Sequence, residues 1–143
     1  MTARRAGPDP ARDVWLLMSD LVLENQRRRE VSEAVGLSFG RTRAIRRLAR
    51  RPMSMRELAE ALGMDPPNAT VLVSDLESLG LVRRRPHPTD GRAKVVEATR
   101  KGKDVARRAD AILATPPPAL SALDPEDLDA LRRIMETVRE HRP

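Results

Sequence analysis

The stretch SMRELAEALGMDPPNATVLVSDLESLGLV, residues 54–82, constrains the fold of this chain more than any other. Ser54 and Glu57 have the spacing of a capping box, in which a hydroxyl and a carboxylate satisfy the open amides at a helix start. Leu58, Ala61 and Leu62 supply one inward face, and Gly63 can take the left-handed conformation that ends a helix. Asp65 then caps a second helix, with Pro66 at the first helical position, where its missing N–H costs nothing. Ala69, Leu72, Val73, Leu76 and Leu79 keep helical spacing up to Gly80. Two short capped helices joined by a tight turn form a helix-turn-helix pattern.

A hairpin is expected next. Leu81–Arg85 forms one strand, Pro86–Gly91 the loop, and Arg92–Ala98 the return strand with its β-branched Val95 and Val96. Upstream, Asp13 to Val35 reads as one helix, with Val14, Leu17, Met18, Leu21 and Val22 on a stripe that Trp15, Leu16 and Leu23 widen. A stripe that broad calls for burial on several sides, in the chain's own core or against another chain. Ser38 can cap a helix running to about Arg50, with Ile45 and Leu48 inward and Arg43, Arg46, Arg47 and Arg50 on the opposite face. Downstream, Thr99 to about Thr115 is helical, and Asp124-Pro125 starts a last helix. Its Leu128, Leu131, Met135 and Val138 step by three, four and three, the narrow stripe of a helix-to-helix seam. Residues 1–11 read as a mobile tail.

Charge is unevenly spread. Residues 38–94 hold twelve basic residues against six acidic ones, while residues 1–37 and 95–143 are each neutral, so the whole net charge of +6 lies in the middle segment. Such concentration is an electrostatic footprint for an anionic partner. With no cysteine and only His87 and His141, the sequence offers no Cys/His pair, no zinc cluster and no disulfide framework. Its scattered glycines build no phosphate loop, so neither an enzyme nor a cofactor is expected. No apolar run approaches the roughly 20 residues of a membrane span, and no secretory signal is evident, so a cytoplasmic protein without a membrane partner is expected.

One face of the helix after the turn is left over for a partner. Pro67, Asn68, Thr70, Val71, Ser74, Asp75 and Ser78 are short and mostly able to hydrogen-bond, with Pro67 and Val71 suited to thymine methyls. For an isolated helix this would be an ordinary solvated face. Beside a tight turn and a basic hairpin it suits a DNA major groove.

Three segments, LSFGRTRAIRRLAR, SMRELAEALGMDPPNATVLVSDLESLGLVRR and HPTDGRAKVVEATRKG, resemble the MarR family of bacterial transcription regulators. The resemblance runs over essentially the whole chain and is most specific from Leu58 to Gly102. It implies a mainly α fold: a winged helix-turn-helix domain (residues 37–99, three core helices and a β-hairpin wing) and a helical dimerisation region (residues 12–36 and 100–143). Asp65–Leu79 would then be the recognition helix, with Pro67, Asn68, Thr70, Val71 and Ser74 facing bases. Arg83–Lys94 would be the wing. Asp90 would orient the Arg92 guanidinium into the minor groove, where a narrow groove's negative potential attracts it. Arg83, Arg84 and Arg85 would form the phosphate-facing stem, with His87 and Lys94 as neighbours. Thr99 and Gly102 match the entry to the following helix, while Ala98 departs from the leucine common there.

The resemblance further implies double-stranded DNA and a second copy of the chain as partners, the dimer using Val14, Leu17, Leu21, Leu128, Leu131, Met135 and Val138. A small aromatic or anionic effector would sit among Trp15, Met18, Val22, Phe39, Ile45 and Leu48, which also read as ordinary core. The expected function is a homodimeric repressor on a pseudo-palindromic operator, nucleoid-associated when bound. The rivals are a low-specificity architectural DNA binder and a winged-helix protein-interaction module.

Overall fold

A computed structural model describes residues 7–141. The chain divides into two compact units, residues 1–113 and 114–143. The first contains α1 (Pro10–Glu24), α2 (Arg28–Val35), α3 (Phe39–Arg50), β1 (Met53–Ser54), α4 (Met55–Leu62), α5 (Pro66–Ser78), β2 (Val82–Pro86), β3 (Lys94–Ala98) and α6 (Arg100–Leu113). The second contains α7 (Pro118–Ser121) and α8 (Pro125–Glu140).

The core of the first unit lies under the helix-turn-helix, where Ile45, Leu48, Leu58, Leu76, Val82 and Val96 are all at most 2% exposed. The sheet is antiparallel in the order β1-β3-β2. β3 is therefore central, pairing Val96 with both Met53 and Arg84. Gly63 ends α4 at φ 65°, the left-handed conformation its place in the turn requires. Gly102 is needed for a different reason: a Cβ there would overlap the Leu81 carbonyl oxygen and lie 2.8 Å from Ile45 Cδ1. Thr99 locks the same junction, its Oγ1 donating to the Gly80 carbonyl at 2.6 Å and accepting from Gly102 N–H at 3.1 Å.

Several boundaries differ from the sequence reading. Of the expected tail, residues 1–6 lie outside the described residues, and helix already begins at Pro10, where Asp9 Oδ1 accepts Arg12 N–H at 3.2 Å. The expected single helix 13–35 is two. Asn25 closes α1 by bonding the Leu21 carbonyl through its side chain at 2.7 Å and its backbone N–H at 3.2 Å. The two-residue β1 is too short to show any alternation and was not anticipated. The capping box is half formed: Ser54 Oγ accepts Glu57 N–H at 3.1 Å, but the Glu57 carboxylate turns to Arg51 at 2.7 Å. That guanidinium holds the Glu57 carboxyl below its ordinary range. Asp124 stands at the α8 N-cap position without a side-chain capping bond. Within the first unit α6 packs against α2 and α3.

Candidate nucleic-acid interface

α5 is built as the sequence dictates. Asp65 caps it by accepting Asn68 N–H at 2.9 Å, and Ala69, Leu72, Val73 and Leu76 bury one face. Pro67, Asn68, Thr70, Val71, Ser74 and Ser78 are exposed on the rest. Asp75 is diverted from that face by an ion pair with Arg41 of α3, which ties the two helices together. Asn68 also bonds locally, its Nδ2 donating to Asp65 Oδ2 at 2.7 Å. The Asn68 side-chain oxygen Oδ1 and the second proton of Nδ2 are left to face a partner. At 1.5 Å per residue this 13-residue helix is ~20 Å long, a fit for a major groove.

The hairpin sorts its arginines by the period of two. Arg83 and Arg85 point to one face and share Glu97 on β3, with Arg85 Nε 3.0 Å from its carboxylate. The Arg83 hydrogen bond, reinforced by the charges of both arginines, lowers the Glu97 pKa. Arg84 points the other way, onto α5, where its Nη2 reaches Ser74 Oγ at 3.0 Å. All three arginines expected in the phosphate-facing stem are thus also engaged within the chain.

β2 ends later and β3 begins later than expected, so Pro86 belongs to β2 and Arg92 to the loop. The loop scaffolds itself. His87 Nδ1 accepts the amides of Thr89 at 3.2 Å and Asp90 at 3.1 Å, so that nitrogen carries no proton. Asp90 Oδ1 accepts the backbone N–H of Arg92 at 3.1 Å, and no ion pair joins the two side chains among the described residues. Asp90 therefore shapes the turn that presents Arg92, and does not clamp its guanidinium. Arg92 and Lys94 enter no ion pair among the described residues, in contrast to the three arginines of β2. Both line a cleft of about 540 Å³ with His87 and Asp90 of the wing and Ser54–Glu57 at the start of α4.

The six residues expected to line an effector pocket differ widely in burial. Ile45 and Leu48 are 0% and 1% exposed inside the core, while Trp15 and Val22 are each 65% exposed. Phe39 instead lies under the Arg28 guanidinium, 4.3 Å from its ring centre. The residues expected at a dimer contact are open: Val14, Leu17 and Val138 are more than half exposed, and α1 buries none of its residues. Sequence reasoning missed the Arg84 contact, the Arg41–Asp75 pair and the role of His87. Only the first left a signal, in the strand alternation.

A capped helix with an open polar face, beside a basic wing, is the architecture of a winged helix-turn-helix DNA-binding domain. Residues 35–93, from the end of α2 to the wing tip, match the model of the MarR family. Solved structures share the fold. A crystal structure of RV1404 from Mycobacterium tuberculosis is similar at 24% identity and TM-score 0.72, covering 99% of this chain and 97% of that one. The YusO protein of Bacillus subtilis matches at 20% identity and TM-score 0.70, over 96% and 100% of the two chains. An S. aureus MepR mutant bound to an oligodeoxyribonucleotide matches at 16% identity and TM-score 0.63, over 93% and 98%.

Proposed function

We propose that the chain is a sequence-specific repressor that binds a pseudo-palindromic operator as a homodimer. The observation that carries this is the pairing of an open polar face on α5 with a wing tip whose Arg92 and Lys94 have no acidic partner among the described residues. Bases would be read by Asn68, Thr70, Val71 and Ser74, with Pro67 in van der Waals contact. The α4–wing cleft would take backbone phosphates, and Arg92 the minor groove.

The terminal helices support a second copy as partner. α1 exposes Val14, Trp15, Leu16, Leu17, Val22 and Leu23, and α8 exposes Leu131, Ile134, Met135 and Val138. Exposed apolar faces of this kind mark interaction sites. A two-fold dimer presents two recognition helices to half-sites about one helical turn apart. A structural neighbour, an S. aureus MepR mutant, is bound to an oligodeoxyribonucleotide, which supports DNA as the partner.

Selecting protein-bound fragments from genomic DNA tests the proposal. It predicts enrichment of one inverted repeat with half-sites roughly 10 base pairs centre to centre. Enrichment of fragments without a shared motif would point to an architectural binder, and recovery of no DNA at physiological salt to a protein-interaction module.

A further inference from the structure

Three hydroxyls lie on the open face of α5, and two of them are already committed. Thr70 Oγ1 donates to the Pro66 carbonyl at 3.0 Å, and Ser78 Oγ donates to the Ser74 carbonyl at 3.0 Å. Each bonds back one turn, as serine and threonine in helices commonly do. A hydroxyl has one proton and two lone pairs, so Thr70 and Ser78 face outward as acceptors only.

Ser74 is different. The carbonyl one turn behind it, that of Thr70, receives Arg84 Nη2 at 3.5 Å, and the same nitrogen donates to Ser74 Oγ at 3.0 Å. A guanidinium has donors and no acceptor, so Ser74 Oγ must accept and its proton turns away from Arg84. No acceptor for that proton occurs among the described residues. Arg84 is itself well held. Glu77 accepts its backbone N–H at 3.3 Å and lies 3.5 Å from Nη1, so Thr70, Ser74 and Glu77, on successive turns of α5, all fix one side chain. Its side chain is 29% exposed, against 71% for Arg83.

We infer that Arg84 is a positioning residue for base recognition: by occupying the Thr70 carbonyl and a lone pair of Ser74, it sets Ser74 as the hydrogen-bond donor on a face whose other hydroxyls accept. This rests on α5 being the recognition helix. The partner of Ser74 is then an acceptor on the major-groove edge, guanine O6 or N7, adenine N7 or thymine O4. Arg84 thereby contributes specificity without touching the DNA.

The test measures affinity of the full chain for its selected operator and for every single base-pair variant of one half-site. It compares wild type, Ser74→Ala, Arg84→Ala and the double variant. Ser74→Ala should lose about tenfold discrimination at one position carrying an acceptor. Arg84→Ala should lose it at that same position, and the double variant should lose no more there than either single change. Arg84→Gln, which keeps a donor on a shorter stem, serves if Arg84→Ala melts early, and should retain part of the discrimination. Equal weakening against all variants, or a loss at a position that Ser74→Ala leaves alone, would overturn the inference and leave the recognition helix intact. Wild-type affinity that ignores sequence altogether would overturn both.

Discussion

Arg92 and Arg84 lie eight residues apart on one hairpin, yet they answer to different physics. Arg92 is presented by a turn that Asp90 holds through a backbone bond, and its charge is unspent. Arg92→Ala should therefore weaken operator binding about tenfold while leaving the melting temperature within about a degree or two, because its side chain makes no bond among the described residues. Unchanged affinity in a fluorescence anisotropy titration would contradict the wing assignment. Gly102→Ala is the opposite case. A methyl there meets the Leu81 carbonyl, which is fixed by its bond from Thr99 N–H at 3.0 Å, so stability should fall by roughly 1–3 kcal/mol in denaturant unfolding. At this scale the sequence was legible wherever a residue's role depends on its near neighbours: Asp65 and Gly63 do what their spacing indicates, while Thr99 and Gly102 were placed by the family resemblance alone. Arg41 with Asp75, 34 residues apart, and Arg46 with Asp110, 64 apart, were not legible, because only the packed helices bring them together.

Among the elements, the hairpin depends most on charge. Glu97 is held below its ordinary value of 4.5 by the Arg83 hydrogen bond and by both arginine charges. A carboxyl whose folded-state value is depressed contributes stability above its unfolded value, and that contribution is lost as pH falls through the folded one. The wing should accordingly loosen below about pH 4.5, and salt should weaken the pairing because it is exposed to solvent. The acid-induced drop in melting temperature should be smaller in Glu97→Gln than in wild type; an identical drop would show that the ion pairs do not stabilise the hairpin. Element order was largely readable from caps and periodicity. The split between α1 and α2 was not, because Asn25 ends a helix through side-chain geometry that leaves no glycine or proline in the sequence. Strand limits were misjudged for a related reason: the self-bonded loop around His87 takes Arg92 out of the ladder.

For the whole molecule, α1 is the clearest sign that the chain does not act alone. It is a 15-residue helix that buries none of its residues. Leu17 is 71% exposed, so Leu17→Asp should leave the helix-turn-helix folded by circular dichroism yet move the sedimentation coefficient from dimer to monomer. An unchanged dimer would remove α1 from the contact. Apolar stripes announced this surface in the sequence, but they do not separate core from surface, since Trp15 and Leu48 satisfy one hydrophobic pattern from opposite ends of the burial scale. The central claim is that α5 reads bases while the wing supplies charge. Affinity for the selected operator and for random DNA across a salt series tests it most directly. The account predicts an operator preference of roughly a thousandfold or more, persisting as salt weakens both complexes. A ratio near one, with the same steep salt dependence for both DNAs, would contradict it.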